Sequence, residues 1–204
     1  MNAPATRDRL IYAAMMLFSA KGYGSTSVSD ILREAGANSG SLYHYFPTKQ
    51  DLLLALLESY RDGIGPMLLE PAWGHVEDPV EKVFALLEAY RNHLVNTECT
   101  YGCPIGSLAL ELHEPDPPVR ELLAVNFDGW RRHVEACFVQ ARDRFRPGFD
   151  PARAASFTLT VMEGAVMQAR TYRTLESFDD AIASLREYLD ALRVDPQTAK
   201  ESGA

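Results

Sequence analysis

The chain has 204 residues, of which 47% are hydrophobic and 24% charged, so it has the length and composition of one or two ordinary globular domains. No apolar run approaches the roughly 18 residues that a membrane span requires. The first residues, Met1 to Arg9, lack the basic and apolar segments of a signal peptide. Three cysteines cannot all pair within one chain, which favours a reducing compartment. We therefore expect a cytoplasmic protein and exclude the secreted and membrane classes.

The net charge of −8 is unevenly distributed along the chain. Residues 1–50 contain five Lys or Arg against three Asp or Glu, whereas the remaining residues contain fifteen against twenty-five. A basic head and an acidic remainder indicate two tasks in one chain, so the total charge does not argue against a nucleic-acid partner. Chance clustering of surface charge explains the same numbers, and composition does not decide between the two.

Apolar spacing and a capping box predict the first two helices. Apolar residues at helical spacing predict a helix over about 6–21, and Gly22 follows it as a C-cap. Ser27 and Asp30 form a capping box, in which each side chain can accept the other residue's amide. This box opens a short second helix that Gly36 ends.

Two more helices follow without a long linker. Asn38 is a favoured N-cap for a short helix over 39–46, which Pro47 closes. A second capping box, Thr48–Asp51, opens a longer fourth helix. The glycines and the proline within 63–66 are expected to weaken or kink this helix.

The rest of the chain repeats one helix-start signal, an Asp-Pro pair that places an N-cap acid before a proline at the first helical position. No Val, Ile or Thr run alternates with the period of a strand. The sequence therefore predicts an all-α fold of about nine helices. The five helices expected after the fourth cover about 79–96, 104–113, 117–146, 151–174 and 178–193.

The most informative stretch covers residues 26–49. Two short helices meet there at a turn containing Gly36, which predicts a helix-turn-helix over about 28–47. Leu42 and Phe46 are four residues apart and face inward, which leaves serine, tyrosine and histidine side chains on the other surfaces. Such side chains can reach phosphates and base edges in a major groove. The aromatic rings can equally pack against the first and fourth helices, since a helix-turn-helix shape is not itself a DNA site.

The N-terminal residues resemble those of a known family. Residues 6–65 resemble, without a gap, the N-terminal domain of the TetR/AcrR family of bacterial transcriptional regulators. The most specific element is Leu-Tyr-His-Tyr-Phe over 42–46, followed by Lys49. The other matching residues are Phe18, Gly22, Tyr23, Thr26, Ser27, Val28, Ile31, Ala35, Gly36, Gly40, Ser41 and Leu52.

The resemblance implies a three-helix DNA-binding head over 6–65 and a helical body over 66–194 that dimerises and binds a small-molecule effector. It implies a homodimeric regulator, most simply a repressor released from double-stranded operator DNA by a small apolar or aromatic effector. The polar residues 195–204 are expected to form a disordered tail.

The resemblance also implies roles for residues of the head. Helix 39–45 becomes the recognition helix, and its residues nearest the bases would be Ser39, Gly40, Tyr43 and His44. The residues implied to clamp phosphates are Thr26, Val28 through its backbone amide, Asn38, Tyr45 and Lys49. Position 39 is often Lys or Arg in the family; Ser39 removes a guanine reader and leaves the operator sequence undetermined.

The predicted helices over 151–174 and 178–193 carry apolar residues on nearly all sides. A helix that is apolar all round must be buried all round, which favours a four-helix bundle between two copies of the chain. Both helices being internal core of one copy is the alternative. The candidate interface residues are Phe157, Val161, Gly164, Ala165, Phe178, Ile182, Leu185 and Leu189.

Aromatic and methionine side chains of the body predict an effector pocket between its long helices. Each of them taken singly fits core packing as well as a pocket lining. The candidate lining residues are Phe84, Leu87, Tyr90, Cys103, Phe127, Trp130, Phe157, Met162, Glu163, Met167 and Tyr172.

Cys103 offers a second way to sense a signal. It precedes a predicted helix N-terminus, where the helix dipole lowers a thiol's pKa. The surrounding segment, 101–112, is similar to a Gly-Cys stretch in a branch of the family that includes electrophile and oxidant sensors, and Cys99 could act as a resolving partner. The alternative is a small buried side chain that fills space.

Enzyme functions find little support, and we expect no catalytic, metal or cofactor site. The histidines form no pair at metal-binding helical spacing, and the chain has no Gly-rich phosphate loop and no nucleophile elbow. The acidic cluster Glu111–Glu114 is interpreted as solvated surface. A helical enzyme or a structural adaptor is the alternative of a different class, although an adaptor would not need an exposed Tyr-His-Tyr.

Overall fold

The computed structural model of the protein describes residues 5–194, and the all-α prediction is confirmed for them. The described residues form no strand beyond one isolated bridge between Phe145 and Arg193. None of their helices combines the length and apolarity needed to cross a membrane. The predicted tail, 195–204, lies outside the described residues. The helices of seven residues or more are α1 Thr6–Lys21, α2 Val28–Ala35, α3 Ser39–Tyr45, α4 Lys49–Ile64, α5 Pro79–Asn96, α6 Pro104–Glu111, α7 Pro117–Gln140, α8 Pro151–Tyr172 and α9 Glu176–Asp190.

The helix-start signals read from the sequence are confirmed at most helices. The Ser27 hydroxyl accepts the Asp30 amide at 3.1 Å while the Asp30 carboxylate accepts the Ser27 amide, as a capping box requires. Asn38 caps α3, and Asp78 and Asp150 each accept two backbone amides of the helices that follow them. These hydrogen bonds satisfy amides that a helix leaves open at its first turn.

The predicted start of α9 is wrong by two residues. The sequence predicts a start at 178, whereas α9 begins at Glu176 after the N-cap residue Leu175, whose side chain makes no capping hydrogen bond. The Thr174 hydroxyl accepts the Glu176 amide at 3.1 Å and supports this earlier start.

The predicted helix over 117–146 is too long, since α7 ends at Gln140. The chain continues through a short 3₁₀ turn into a cluster of three phenylalanines. Phe145 and Phe149 stack with ring centroids 4.0 Å apart, and both contact the buried Phe138 edge-on. Burying these rings together favours leaving the helix earlier than local propensity predicts.

The predicted weakness near the end of α4 corresponds to a change of helix type. After Ile64 the backbone forms a π-helix over Gly65–Leu69, followed by a single α-helical turn, Glu70–Trp73. Short π segments interrupt helices where glycine or proline disturbs the hydrogen-bond ladder.

The described chain divides into two compact units. The first contains residues 5–64 and 103–127, and the second contains 65–102 and 128–194. The segment 103–127, which the sequence analysis placed in the body, therefore groups with the head helices. In the first unit the buried Asn126 side chain donates to the Leu57 carbonyl at 3.0 Å and joins α7 to α4. Among the largest fully buried side chains are Leu10, Ile31, Leu42, Leu52, Leu53, Leu56 and Leu57 in the first unit and Leu86, Leu87, Leu94, Phe138 and Phe178 in the second.

Candidate nucleic-acid interface

The turn between α2 and α3 is held by one glycine and two buried anchors. Gly36 has φ +56° and ψ +40°, the left-handed conformation that closes a helix and favours glycine. Ile31 on α2 and Leu42 on α3 are almost completely buried. Because both helices are anchored to the same core, the outward face of α3 has a defined orientation.

That outward face is polar and aromatic. Ser39, Gly40 and His44 are exposed, and the side chains of Tyr43 and Tyr45 are 53% and 42% exposed. The His44 and Tyr45 rings meet edge-on at 4.9 Å. Neither tyrosine is therefore buried against α1 and α4.

Two groups beside α3 are suited to hold phosphate oxygens. The Asn38 side-chain oxygen accepts the Ser41 amide at 2.8 Å, which leaves the amide NH₂ as a donor. A Cβ at Gly40 would lie 3.3 Å from that oxygen, so Gly40 keeps the cap uncrowded. Val28 is the first residue of α2, where backbone amides point out of the helix toward an anion.

Thr26 has a different role from the one implied by resemblance. Its side chain is 1% exposed, and its hydroxyl donates to the Gly22 carbonyl at 2.7 Å. A hydroxyl used in this way inside the protein does not reach a phosphate. Thr26 instead stabilises the turn that leads into α2.

Lys49 is also engaged within the protein. Its ammonium donates to the Tyr23 carbonyl and lies 4.1 Å from the centroid of the Tyr23 ring, a cation–π contact. Partial burial lowers the pKa of Lys49, and the nearby Glu111 carboxylate opposes that shift. Whether Lys49 also meets a phosphate stays a prediction.

Two further cations of the head share one carboxylate. Asp30 pairs with Arg33 and lies 3.9 Å from Lys21. Hydrogen bonds lower the pKa of the Asp30 carboxyl to about 2; the one from the Ser27 side chain has the largest effect and the one from Arg33 the next largest. The positive charge of the head is therefore partly compensated within α1 and α2.

Glu111 is a residue that sequence reasoning missed. The prediction that Glu111 is exposed is confirmed but incomplete, because its carboxylate also accepts the backbone amides of Tyr23 at 2.8 Å and Gly24 at 2.6 Å. Glu111 and Tyr23 are 88 residues apart in the chain, and no local pattern signals a pairing at that separation.

The predicted dimer residues divide into buried and exposed groups. Phe157 on α8 is 42% exposed and meets the Tyr188 ring of α9 edge-on at 5.2 Å, while Val161 and Gly164 are half-buried. Four others are corrected, because α8 and α9 pack against each other within one copy. The residues already buried in the single chain are Ala165, Phe178, Leu185 and Leu189.

The predicted pocket residues do not form one group. Cys103 and Phe127 belong to the first unit and the others to the second. Phe157, Met167 and Tyr172 are exposed, which excludes them as the lining of an enclosed cavity in one copy. The prediction is wrong for these three residues because an apolar stripe alone does not show which side faces inward.

Phe84 and Leu87 line an open groove between α5 and α9 of about 560 Å³, and Ile182 of the predicted dimer set lies there too. Ion pairs between Arg91 and Asp179 and between Arg186 and Glu81 cross this groove. The Arg186 guanidinium lies 3.6 Å from the centroid of the Phe84 ring and covers that ring.

The remaining predicted lining residues of the second unit are buried or half-buried. Met162 is completely buried, and Tyr90 and Glu163 are half-buried. Trp130 is 4% exposed, and its indole N–H has no hydrogen-bond partner among the described residues. A buried N–H without an acceptor destabilises the fold, and an acceptor atom of a bound ligand would remove that penalty.

None of the three cysteines forms a disulfide, and all three are buried. Cys103 is the N-cap residue of α6 and is 7% exposed. Among the described residues no three His, Cys, Asp or Glu side chains are grouped so as to hold a metal ion.

Comparison with known proteins gives a consistent result. Residues 10–56 match the family model described as bacterial regulatory proteins, tetR family, and residues 79–185 match that of the tetracyclin repressor-like C-terminal domain. An HTH-type transcriptional regulator of Mycobacterium tuberculosis is 31% identical over 192 residues, covering 90% of this chain and 93% of the relative. The HTH-type transcriptional repressor NemR of Escherichia coli is 25% identical over 193 residues, covering 90% and 94%. A TetR transcriptional regulator from Chloroflexus aurantiacus superposes with a TM-score of 0.81 at 29% identity, covering 93% of this chain and 97% of that one.

Proposed function

Because the chain belongs to the TetR family of bacterial transcriptional regulators, we propose that this DNA-binding protein is a cytoplasmic repressor that binds its operator as a homodimer. The observation that carries the operator assignment is the exposed polar face of α3 on a helix-turn-helix anchored by Ile31 and Leu42. Repression is supported by the similarity to NemR of Escherichia coli, which is a transcriptional repressor. A small apolar or aromatic effector then lowers operator affinity. It does so by binding preferentially to a conformation of the dimer in which the two DNA-binding heads are wrongly spaced for the operator.

The chemistry of α3 suggests how the operator is read. The side chains that it exposes are hydroxyls and an imidazole, and none of them is a permanent cation. Tyr43, Ser39 and His44 would donate to or accept from base edges, while the Val28 amide and Asn38 would position the head on phosphates. In this assignment specificity comes from a few neutral hydrogen bonds.

We expect Tyr43→Ala to weaken operator binding by about 1–3 kcal/mol, the usual contribution of one base-reading side chain. The matched control is Glu58→Ala, which truncates an exposed side chain on α4 away from α3 and should leave affinity unchanged. Fluorescence anisotropy with the duplex that the wild-type chain selects from a random-sequence pool measures both. Equal affinities for the two folded variants would remove α3 from the interface.

For the effector, the second unit offers a buried aromatic and methionine interior that includes Trp130 and Met162. An effector with an acceptor atom would pair with the Trp130 N–H, which no described group satisfies. Such a ligand is apolar with at least one oxygen or nitrogen acceptor. The thiol alternative has less support, since an electrophile must reach Cys103 at 7% exposure.

The chain contains two tryptophans, which allows a direct optical test. Trp73, whose indole donates to the Lys82 carbonyl at 2.7 Å, is the other tryptophan. The variant Trp73→Phe therefore has Trp130 as its single indole. We expect compounds that release the operator to change the fluorescence of this variant, because they contact Trp130. Cys103→Ser should retain the release. Release of the operator with an unchanged Trp130 spectrum would move the effector site elsewhere.

A further inference from the structure

Glu111 joins the end of α6 to the turn between α1 and α2, residues 22–26, and no role assigned above to operator or effector binding uses this contact. Both partners lie in the first unit. The segment 103–127 that contains Glu111 continues into the second unit at both of its ends. Glu111 therefore contacts the head helices from a part of the chain that lies outside the helix-turn-helix.

Both oxygens of the Glu111 carboxylate hold this turn. Oε2 accepts the Tyr23 amide at 2.8 Å, and Oε1 accepts the Gly24 amide at 2.6 Å. Hydrogen bonds from backbone amides to a carboxylate are about twice as strong as neutral ones. Two such bonds to successive peptides restrain the backbone that leads into α2.

The turn has the space that this carboxylate needs. Gly22 has φ +84°, a conformation that favours glycine, and a Cβ there would lie 2.9 Å from Oε2 of Glu111. A Cβ at Gly24 would lie 3.2 Å from Oε1. Larger residues at these two positions would press against Glu111, so the close approach depends on both glycines.

Lys49 and Thr26 hold the same turn from inside the head. The Lys49 ammonium donates to the Tyr23 carbonyl, so Tyr23 is bonded through its N–H to Glu111 and through its C=O to Lys49. The Thr26 hydroxyl donates to the Gly22 carbonyl. The turn is thus restrained both by the head itself and by α6.

We propose that Glu111 is a positioning residue for DNA binding, whose carboxylate keeps the 22–26 turn, the N-terminus of α2 and the Lys49 ammonium where operator binding requires them. This inference rests on the proposed function. Since α2 begins two residues after the turn, loss of the carboxylate loosens the backbone that leads to the Val28 amide and, through α2, alters the position of α3 relative to the phosphates. Withdrawal of α6 from the turn lowers operator affinity without any change in the side chains of α3.

The test compares Glu111→Ala, Glu111→Gln and Glu114→Ala on the duplex that the wild-type chain selects from a random-sequence pool. Glu111→Ala should lower affinity about tenfold, because operator binding must then order a turn that the Glu111 carboxylate restrains in the wild type. Glu111→Gln keeps one acceptor oxygen and should fall between this variant and the wild type. Glu114→Ala removes the same charge from an exposed position three residues further on and should bind like the wild type.

Amide NMR spectra supply a readout that general destabilisation does not reproduce. In Glu111→Ala the Tyr23 and Gly24 signals should move selectively, with the rest of the spectrum and the oligomeric state retained. Equal affinity of Glu111→Ala and wild type overturns the proposal, and so does a loss that Glu114→Ala shares or that accompanies spectrum-wide changes. If the wild-type chain selects no duplex, the proposed function itself fails.

Discussion

Leu185→Glu is expected to unfold the chain and not merely to dissociate a dimer. Leu185 is 2% exposed, and it lies on α9, which packs against α8. A carboxylate placed there loses its hydration without gaining a partner, and the leucine packing is lost as well. We expect a loss of at least about 4 kcal/mol from the free energy of unfolding, a large part of the stability of an ordinary domain.

Thermal unfolding followed by circular dichroism measures this effect. Ser184→Glu, at the exposed neighbouring position, introduces the same charge and should cost about 0.5 kcal/mol or less. A Leu185→Glu protein that is a monomer with a wild-type melting temperature would show that the burial of Leu185 within one copy is not what stabilises it.

Phe157→Glu is expected to have the opposite pattern, a folded chain that no longer dimerises. Phe157 is 42% exposed in the single copy, and a Cβ built at Gly164, two turns along α8, would meet no described atom within 4 Å. An exposed ring beside such an open position suits close approach of a second copy. Losing the dimer separates the two heads, so operator affinity should fall by about 10²-fold to 10⁴-fold.

Sedimentation velocity and operator binding are the two measurements for Phe157→Glu. Val139→Glu is the matched control, because Val139 is 55% exposed on α7 of the same unit and receives the same charge. We expect this control to remain a dimer with wild-type affinity. An unchanged dimer for Phe157→Glu would place the subunit contact on another surface.

Local hydrogen bonds explain why most helix starts were predictable. The Ser27–Asp30 box and the caps from Asn38, Asp78 and Asp150 join residues at most three apart, so the sequence displays both partners together. The anchors of α3 were predictable for a similar reason. Leu42 is followed four residues later by Phe46, and the structure buries both.

The direction in which α8 and α9 present their apolar residues was not predictable. Phe178, Leu185 and Phe157 fit one apolar pattern equally well, and only packing distinguishes the two buried residues from the exposed one. The role of Thr26 shows the same limit, because a hydroxyl looks identical in sequence whether it meets a phosphate or the Gly22 carbonyl. The early end of α7 depends on three phenylalanine rings that pack only after the chain has folded.

The first unit is assembled from two separate segments of the chain, and this bears on how regulators of this kind recombine in evolution. Because this unit is completed by residues 103–127, a recombination joint after Ile64 would separate α1–α4 from α6 and from the buried Asn126 that bonds to Leu57. A head grafted at that joint onto a foreign body keeps every residue of the helix-turn-helix but depends on the new host for an acid at the Tyr23 and Gly24 amides. Successful grafts are therefore expected to preserve a carboxylate at the end of the host's α6, which makes the head and this short helix a single inherited module.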